Sequence, residues 1–122
     1  MYELIIKTGF SAAHNLRGYE GECERLHGHN WKVEVVVQAE RLNDIDIALD
    51  FKVLKRETNA IMDRLDHRYL NEVPPFDRLN TTAENIARYI YQELSQRLHV
   101  QGVRIKEVRV WESETACAVY YE

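Results

Sequence analysis

Two stretches of the chain alternate between apolar and polar residues over a distance that predicts β-strands. The first stretch places one set of alternate side chains on a common face: Tyr2, Leu4, Ile6, Thr8, Phe10, Ala12 and His14. The second does the same with Trp31, Val33, Val35, Val37 and Ala39. Because side chains of a strand alternate between its two faces, these runs predict two half-buried strands. We expect them to pair antiparallel around a functional loop from Asn15 to Leu26.

The remaining periodic segments predict two helices and a second pair of strands. Apolar residues from Phe51 to Leu65 follow helical spacing, with Asp50 placed to cap the start. A capping box over residues 81–84 precedes a second amphipathic stripe, and β-rich runs cover residues 103–112 and 115–121. The predicted fold class is α+β, a four-stranded antiparallel sheet with two helices on one face, in the order ββααββ.

The length and the second face of the sheet predict one domain that associates with copies of itself. With 122 residues, the chain suits a single domain over residues 1–122. The opposite face of the second strand mixes charged and apolar residues, and an open sheet leaves two edges unpaired. Pairing of edges between subunits into a closed ring would remove that liability.

Charge and hydropathy exclude several classes of protein. Sixteen basic and 20 acidic residues give a net charge of −4, which argues against a general nucleic-acid binder. No apolar run reaches the length of a membrane span, and the start of the chain lacks the features of a signal peptide. We therefore expect a cytoplasmic protein with free thiols at Cys23 and Cys117, the latter as a small buried residue.

Three histidines and a cysteine form the strongest chemical signal. His27 and His29 are two residues apart and point the same way on an extended strand, and His14 ends the earlier strand. Three imidazoles with an open fourth position are typical of catalytic zinc. Cys23 lies four residues before His27 and is either a fourth, structural ligand or a base whose pKa is lowered beside the metal. Gly28 suggests a small turn between two converging ligands.

Two further groups carry candidate chemistry. Asp66 precedes His67, and a carboxylate that orients an imidazole towards a thiol would complete a Cys-His-Asp relay. The same pair also suits the end of a helix. Glu112 either continues the inward phase of Val108 and Val110, and then needs a ligand with paired N–H donors, or lies in solvent beyond the end of the strand.

Taken together, these motifs resemble the family of 6-pyruvoyltetrahydropterin synthase and 6-carboxy-5,6,7,8-tetrahydropterin synthase, which has the tunnelling fold. The resemblance runs nearly end to end and is carried by Phe10-Ser11-Ala12-Ala13-His14, Cys23 with His27-Gly28-His29, Leu65-Asp66-His67, Thr81-Thr82-Ala83-Glu84-Asn85, and Glu112. It implies an assembly of subunits into a β-barrel, with a homohexamer of two stacked trimers and active sites at subunit interfaces.

The resemblance also implies a role for each motif. The zinc ligands would be His14, His27 and His29, and the catalytic residues would be Cys23, Asp66 and His67. Glu112 would anchor the pterin, because one carboxylate accepts both donors of its 2-amino and ring N–H edge. Thr81 and Thr82 would lie near the same end of the pterin, although capping of the second helix explains them as well.

The position of the thiol selects one branch of this family. Carboxy-tetrahydropterin synthases of bacteria and archaea place it four residues before the first His of the His-Gly-His unit, as here, whereas animal-type pyruvoyl synthases place it six before. The resemblance therefore implies a zinc-dependent lyase that converts 7,8-dihydroneopterin triphosphate to 6-carboxy-5,6,7,8-tetrahydropterin, a queuosine precursor, releasing triphosphate and acetaldehyde.

Other functions remain open at this point. A 6-pyruvoyltetrahydropterin synthase, a dihydroneopterin side-chain aldolase and a non-enzymatic zinc-stabilised interaction module are the alternatives. Glu20, Glu22 and Glu24 would repel a triphosphate unless Arg17, Arg25 or a basic residue of another subunit offsets them.

Overall fold

In the computed structural model, which describes residues 1–21 and 25–122, the chain forms five strands and two α-helices. In chain order these are β1 (Tyr2–His14), β2 (His27–Ala39), α1 (Phe51–Leu65), β3 (Arg68–Tyr69), α2 (Ala83–Arg97), β4 (Val103–Ser113) and β5 (Ala116–Tyr120). The strands make one sheet in the order β3-β1-β2-β4-β5. The predicted α+β fold class and element order are confirmed.

The sheet has one strand more than the four predicted. β3 contains two residues and pairs parallel to β1 at Ala12 and Ala13, whereas every other strand pair is antiparallel. Two residues are too few to show an alternating pattern, so this strand could not be predicted from the sequence. Because β3 lies next to β1, the segment after α1 comes close to the end of β1 and the start of β2.

The pairing of β1 with β2 fixes which side chains share a face. The register runs without interruption from Tyr2 opposite Ala39 to His14 opposite His27. Directly opposed residues of an antiparallel pair project from the same face, so the two apolar sets predicted from the sequence combine into one surface. Buried members of that surface include Phe10, Trp31 and Val35.

Both helices cover this surface and complete the core. α1 contributes Leu54, Ile61 and Leu65, and α2 contributes Ile86, Ile90 and Leu94, all fully buried. Asp50 caps α1 as predicted, since its carboxylate accepts from the backbone N–H of Lys52 at 2.8 Å.

The cap of α2 differs by one residue from the predicted capping box. Thr82 is the N-cap, and its hydroxyl accepts from the backbone N–H of Asn85 at 3.1 Å. Thr81 is thereby released from the cap and lies fully buried between the helix and β1. The backbone carbonyl of Thr81 contacts the ring of His14 instead.

The other face of the sheet mixes charged and apolar residues, as the pattern predicts. Arg109 binds Glu34 at 3.1 Å and Glu107 at 2.7 Å, and Trp111 Nε1 donates to Glu34 at 3.0 Å. Within the described residues, no helix combines the length and the hydropathy that crossing a bilayer requires.

Two glycines of the β1–β2 pair provide a matched test of this packing. A Cβ added to Gly9 would collide with the backbone oxygen of Trp31, whereas one added to Gly28 would lie 3.6 Å from its nearest neighbour, the oxygen of Ala12. We expect Gly9→Ala to lower the free energy of unfolding by roughly 1–3 kcal/mol, because backbone atoms must shift.

Urea unfolding of both variants and the wild type checks this expectation. Gly28→Ala serves as the control and should unfold close to the wild type. Equal midpoints for Gly9→Ala and the wild type would show that the two strands are not in this register.

Candidate metal centre

Three imidazoles converge where β1 ends and β2 begins. His14 and His27 are direct partners across the two strands, and His29 follows His27 by two residues on the same face. Their ring centroids are separated by 4.6 Å for His14 and His27, 4.7 Å for His27 and His29, and 5.1 Å for His14 and His29. The strand register alone therefore brings together the three histidines that the sequence predicted as ligands.

The convergence needs no turn at the intervening glycine. Gly28 lies inside β2, opposite Ala13, and its position has room for a side chain. The suggestion that glycine makes a small turn between the two ligands is therefore wrong. An ordinary extended strand already points alternate side chains the same way.

Backbone carbonyls orient two of the rings. Nδ1 of His14 lies 2.7 Å from the carbonyl oxygen of Thr81, and Nδ1 of His27 lies 2.6 Å from that of Arg25. A carbonyl oxygen accepts only, so each Nδ1 carries the proton and donates. Nε2 of each neutral ring is then left with its lone pair, which is the arrangement that metal-binding histidines use.

Glu112 adds a carboxylate to the cluster. Its Oε1 lies 2.9 Å from Nε2 of His29 and 3.4 Å from Nε2 of His14. The β4–β5 register shifts between Trp111 and Ser113, and Glu112 occupies this irregularity. Glu112 nevertheless keeps the inward phase of Val110, since it reaches the histidines of the buried face. The inward alternative of the two that the sequence left open for Glu112 is the one that the structure shows.

The donor set fits a metal ion. The four ligand atoms of His14, His27, His29 and Glu112 lie within 4.8 Å of one another. Nε2 of His14 and of His29 are buried without a hydrogen-bond partner among the described residues. A cation between these atoms would satisfy the lone pairs and neutralise the carboxylate beside them. Imidazole and carboxylate suit zinc, and imidazole also suits iron, nickel and copper.

Burial keeps the cluster in the protonation state that a metal requires. Burial lowers the pKa of His14 below its ordinary value, and the neighbouring His27 and His29 lower it further. Burial likewise lowers the pKa of His29, although Glu112 opposes that shift. Both rings therefore stay neutral at a pH where exposed histidines begin to take up protons.

A buried polar network supports His14 from behind. The single proton of the Thr81 hydroxyl is shared between the carbonyl oxygen of Asn15, 3.1 Å from Oγ1, and Oδ1 of Asn71, 3.3 Å from it. Asn71 in turn accepts from the backbone N–H of Asn15 and donates to its carbonyl oxygen. Thr81 is thus held so that its own carbonyl meets the ring of His14. A substrate contact for Thr81 or Thr82 stays a prediction.

Arg17 ties the loop after β1 to the segment before α2. Its guanidinium donates to the carbonyl oxygens of Leu79 at 3.1 Å, Phe76 at 2.9 Å and Asn71 at 3.3 Å. These bonds explain Arg17 as a brace for the loops around the cluster rather than as the phosphate contact considered for it. Sequence gave little sign of this role, because its partners are backbone atoms about 60 residues away along the chain.

Asp66 and His67 form a pair through an unusual backbone conformation. His67 has a positive φ of 57°, which turns its side chain back so that Nδ1 lies 2.9 Å from Oδ2 of Asp66. Oδ1 of Asp66 accepts from the backbone N–H of Ser11 at 2.8 Å. That bond and the contact with His67 lower the pKa of Asp66. The turn that such a neighbouring pair requires is therefore present.

Two open depressions flank the cluster. The first, of about 500 Å³, includes both His29 and His67 in its wall, so it joins the histidine cluster to the Asp66–His67 pair. The second, of about 380 Å³, is lined by Glu112, by Glu84 of α2 and by residues of β5. We refer to the second as the Glu112 groove.

The two cysteines have different positions from those expected. Cys23 lies outside the described residues, so its role stays a prediction. Cys117 is exposed on β5, and the expectation that it is a small buried residue is wrong. It pairs with Trp111 and lies on β5, the edge strand of the sheet.

Comparison with known proteins gives consistent matches over the whole chain. The sequence model of the family described as 6-pyruvoyl tetrahydropterin synthase matches residues 3–122. The chain is 34% identical to the 6-carboxy-5,6,7,8-tetrahydropterin synthase of Synechocystis, over 99% of this chain and 94% of that protein. It is 35% identical to the dihydroneopterin monophosphate aldolase of Pyrococcus furiosus, over 89% of this chain and 88% of that protein.

A solved structure matches the fold equally well. The structure of Caenorhabditis elegans 6-pyruvoyl tetrahydropterin synthase superimposes with a TM-score of 0.90 at 25% sequence identity, over 99% of this chain and 95% of that chain.

The lowered histidine pKa values predict how the metal-free protein responds to acid. The unfolded chain binds more protons than the folded chain once the pH falls below about 6.5, the ordinary histidine pKa, so stability then declines towards the lower folded pKa. We expect a steeper decline between about pH 7 and pH 5 in the wild type than in His14→Gln. Urea midpoints of metal-free protein measure this, with the exposed His99→Gln as the control. Parallel curves for all three proteins would contradict it.

The hydroxyl of Thr81 offers a test of the supporting network. Thr81→Val keeps the shape but loses the bonds that place the carbonyl facing His14, so we expect zinc affinity to fall by roughly tenfold. Competition with a chromophoric chelator measures the affinity, and Thr115→Val, an exposed position, is the control. An unchanged zinc affinity in Thr81→Val would show that the network does not orient the ligand.

Proposed function

Because the chain belongs to the 6-pyruvoyl tetrahydropterin synthase family, we propose that it is a zinc-dependent 6-carboxy-5,6,7,8-tetrahydropterin synthase. It would convert 7,8-dihydroneopterin triphosphate with release of triphosphate and acetaldehyde, a lyase reaction that supplies 7-deazaguanine and queuosine synthesis. The family predicted from the sequence is confirmed. The observation that carries the proposal is the convergence of three oriented imidazoles on one point, with the thiol of Cys23 four residues before His27.

His14, His27 and His29 would hold the zinc ion in this proposal. When bound, zinc supplies a Lewis acid that makes the neighbouring C–H and O–H groups of the substrate side chain more acidic. Burial favours the neutral form of His14 and His29, and backbone carbonyls point Nε2 of His14 and His27 inward. The site is therefore organised before substrate arrives.

Asp66, His67 and Cys23 would move the protons. Asp66 holds Nδ1 of His67, which leaves Nε2 of that exposed ring free to exchange a proton in the depression that it shares with His29. The thiolate of Cys23 would take the proton from the substrate side chain, and His67 would relay it. Asp66 fixes the orientation of the His67 ring.

Glu112 would recognise the pterin ring. Its carboxylate lines the Glu112 groove, whose volume suits a bicyclic ring, and it accepts two N–H donors at once. Thr81 and Thr82 would lie at the same end of the ring. Thr82 is only partly buried, whereas Thr81 acts through its backbone carbonyl on His14.

The sheet edges support an oligomer, which we propose is a hexamer of two stacked trimers. β1 pairs with β3 only at Ala12 and Ala13, so its outer edge below these residues has no strand partner within the described part of the chain. β5 is the opposite edge of the sheet. Pairing these edges between subunits would close a β-barrel and satisfy their backbone groups. We place this assembly in the cytoplasm.

Two related reactions are the second candidates. The similarity to the Pyrococcus aldolase favours cleavage to a hydroxymethyl pterin, and the Caenorhabditis structure favours the pyruvoyl product. One experiment separates them: incubation with 7,8-dihydroneopterin triphosphate, followed by identification of the pterin by mass and of any acetaldehyde. A carboxy pterin with acetaldehyde supports the proposal. Absence of any converted pterin would instead favour a non-enzymatic zinc-stabilised module.

The role of the thiol gives a prediction for variants. We expect Cys23→Ala to retain zinc and lose about 10²- to 10⁴-fold in turnover, because a base is removed and no ligand is lost. His27→Ala should lose both zinc and turnover, and His99→Ala, an exposed position, should lose neither. Metal content and initial rates measure these effects. Loss of zinc from Cys23→Ala would identify the thiol as a ligand and contradict its assignment as the base.

A further inference from the structure

The carboxylate of Glu112 belongs to two sites at once. Oε1 lies 2.9 Å from Nε2 of His29 and 3.4 Å from Nε2 of His14, and the same residue lines the Glu112 groove together with Glu84 and β5. The side chain is 34% exposed, so it is neither locked in the core nor free in solvent. It separates the histidine cluster from the groove.

A cation would relieve the close contact between the carboxylate and His14. The proton of His14 is held on Nδ1 by the carbonyl of Thr81, so its neutral ring presents a lone pair to the carboxylate. A carboxylate oxygen facing a lone pair is repelled. Among the described residues, no carbonyl fixes the tautomer of His29, so the repulsion applies to Nε2 of His14, which has no hydrogen-bond partner there. A metal ion shared by the rings and the carboxylate removes this conflict.

The same carboxylate is needed by the substrate in the proposed function. An N–H edge of a pterin ring requires both carboxylate oxygens, and a metal requires at least one of them. One side chain cannot fully serve both partners. It lies at a strand irregularity next to Ser113, near the end of β4, where the extra residue is left out of the β4–β5 ladder.

We propose that Glu112 is an exchangeable fourth metal ligand. It binds the metal ion while the Glu112 groove is empty, and it leaves the metal for the N–H donors of a pterin ring that enters the groove. One metal position thus becomes free only when a ring of the correct donor pattern is present. This exchange rests on the proposed function for the identity of the ring, and on the cluster geometry for the metal half.

The exchange predicts that ring and metal oppose each other. The coupling free energy between two ligands is reciprocal. A ring that removes a ligand from the metal must therefore weaken metal binding by the same factor by which the metal weakens ring binding. The suitable probe is 6-methyl-7,8-dihydropterin, which has the ring donors but no side-chain oxygens to bind the metal. We expect saturating probe to weaken zinc binding by the wild type about 5- to 100-fold.

The experiment measures zinc affinity by chelator competition for three proteins, with and without the probe. Glu112→Gln should bind zinc at least about tenfold more weakly than the wild type without probe. Glu84→Gln, which changes a groove residue that does not contact the cluster, should keep the wild-type zinc affinity. The wild-type arm needs no variant, so a folding defect cannot imitate the result.

Several outcomes would overturn the exchange. Equal zinc affinity of Glu112→Gln and the wild type would show that the carboxylate is not a ligand. An unchanged wild-type affinity with bound probe, or a probe that does not bind, would show that the ring does not take Glu112 from the metal. A weakened Glu112→Gln together with no turnover of pterin triphosphate would keep the metal half and discard the proposed function.

Discussion

The register between β1 and β2 is the constraint on which the rest of the site depends. His14 lies opposite His27, and His29 follows two residues further along β2, so three imidazoles project from the same face of the sheet. A slip of β2 by one residue would turn His27 and His29 to the charged face, while His14 stayed on the face that the helices cover. The register is held by the buried apolar set below the site, where Phe10, Trp31 and the valines of β2 pack under both helices. Core packing and ligand geometry are therefore consequences of the same pairing.

A second layer converts this proximity into orientation. Histidines brought together by a sheet could adopt either tautomer, and the carbonyls of Thr81 and Arg25 select the one that leaves Nε2 open. Thr81 is placed by Asn15 and Asn71, and Arg17 fastens the loops that carry them. The carboxylate of Glu112, at the strand irregularity, then supplies the negative charge that three neutral imidazoles lack. At this end of the molecule, some conformational stability is lost because polar groups are buried in an arrangement that suits a cation.

Most of the fold was readable from the sequence, because long strands and amphipathic helices repeat their pattern many times. The three histidines were readable for the same reason, since two of them alternate on one strand. β3 was missed because two residues carry no period, and the cap of α2 was displaced by one residue because two threonines compete for it. Asn71 and Arg17 act through backbone atoms distant in sequence, which no local pattern reports. Sequence also left the position of Glu112 open, because alternation alone does not show whether the strand continues as far as this residue.

The most direct test of this account is the coordination shell of the zinc-loaded protein, measured by X-ray absorption at the zinc edge. The account predicts three imidazole nitrogens and one oxygen at about 2.0–2.1 Å, and no sulfur. A sulfur scatterer at about 2.3 Å would contradict it, because it would place Cys23 on the metal and leave the proposed reaction without its base.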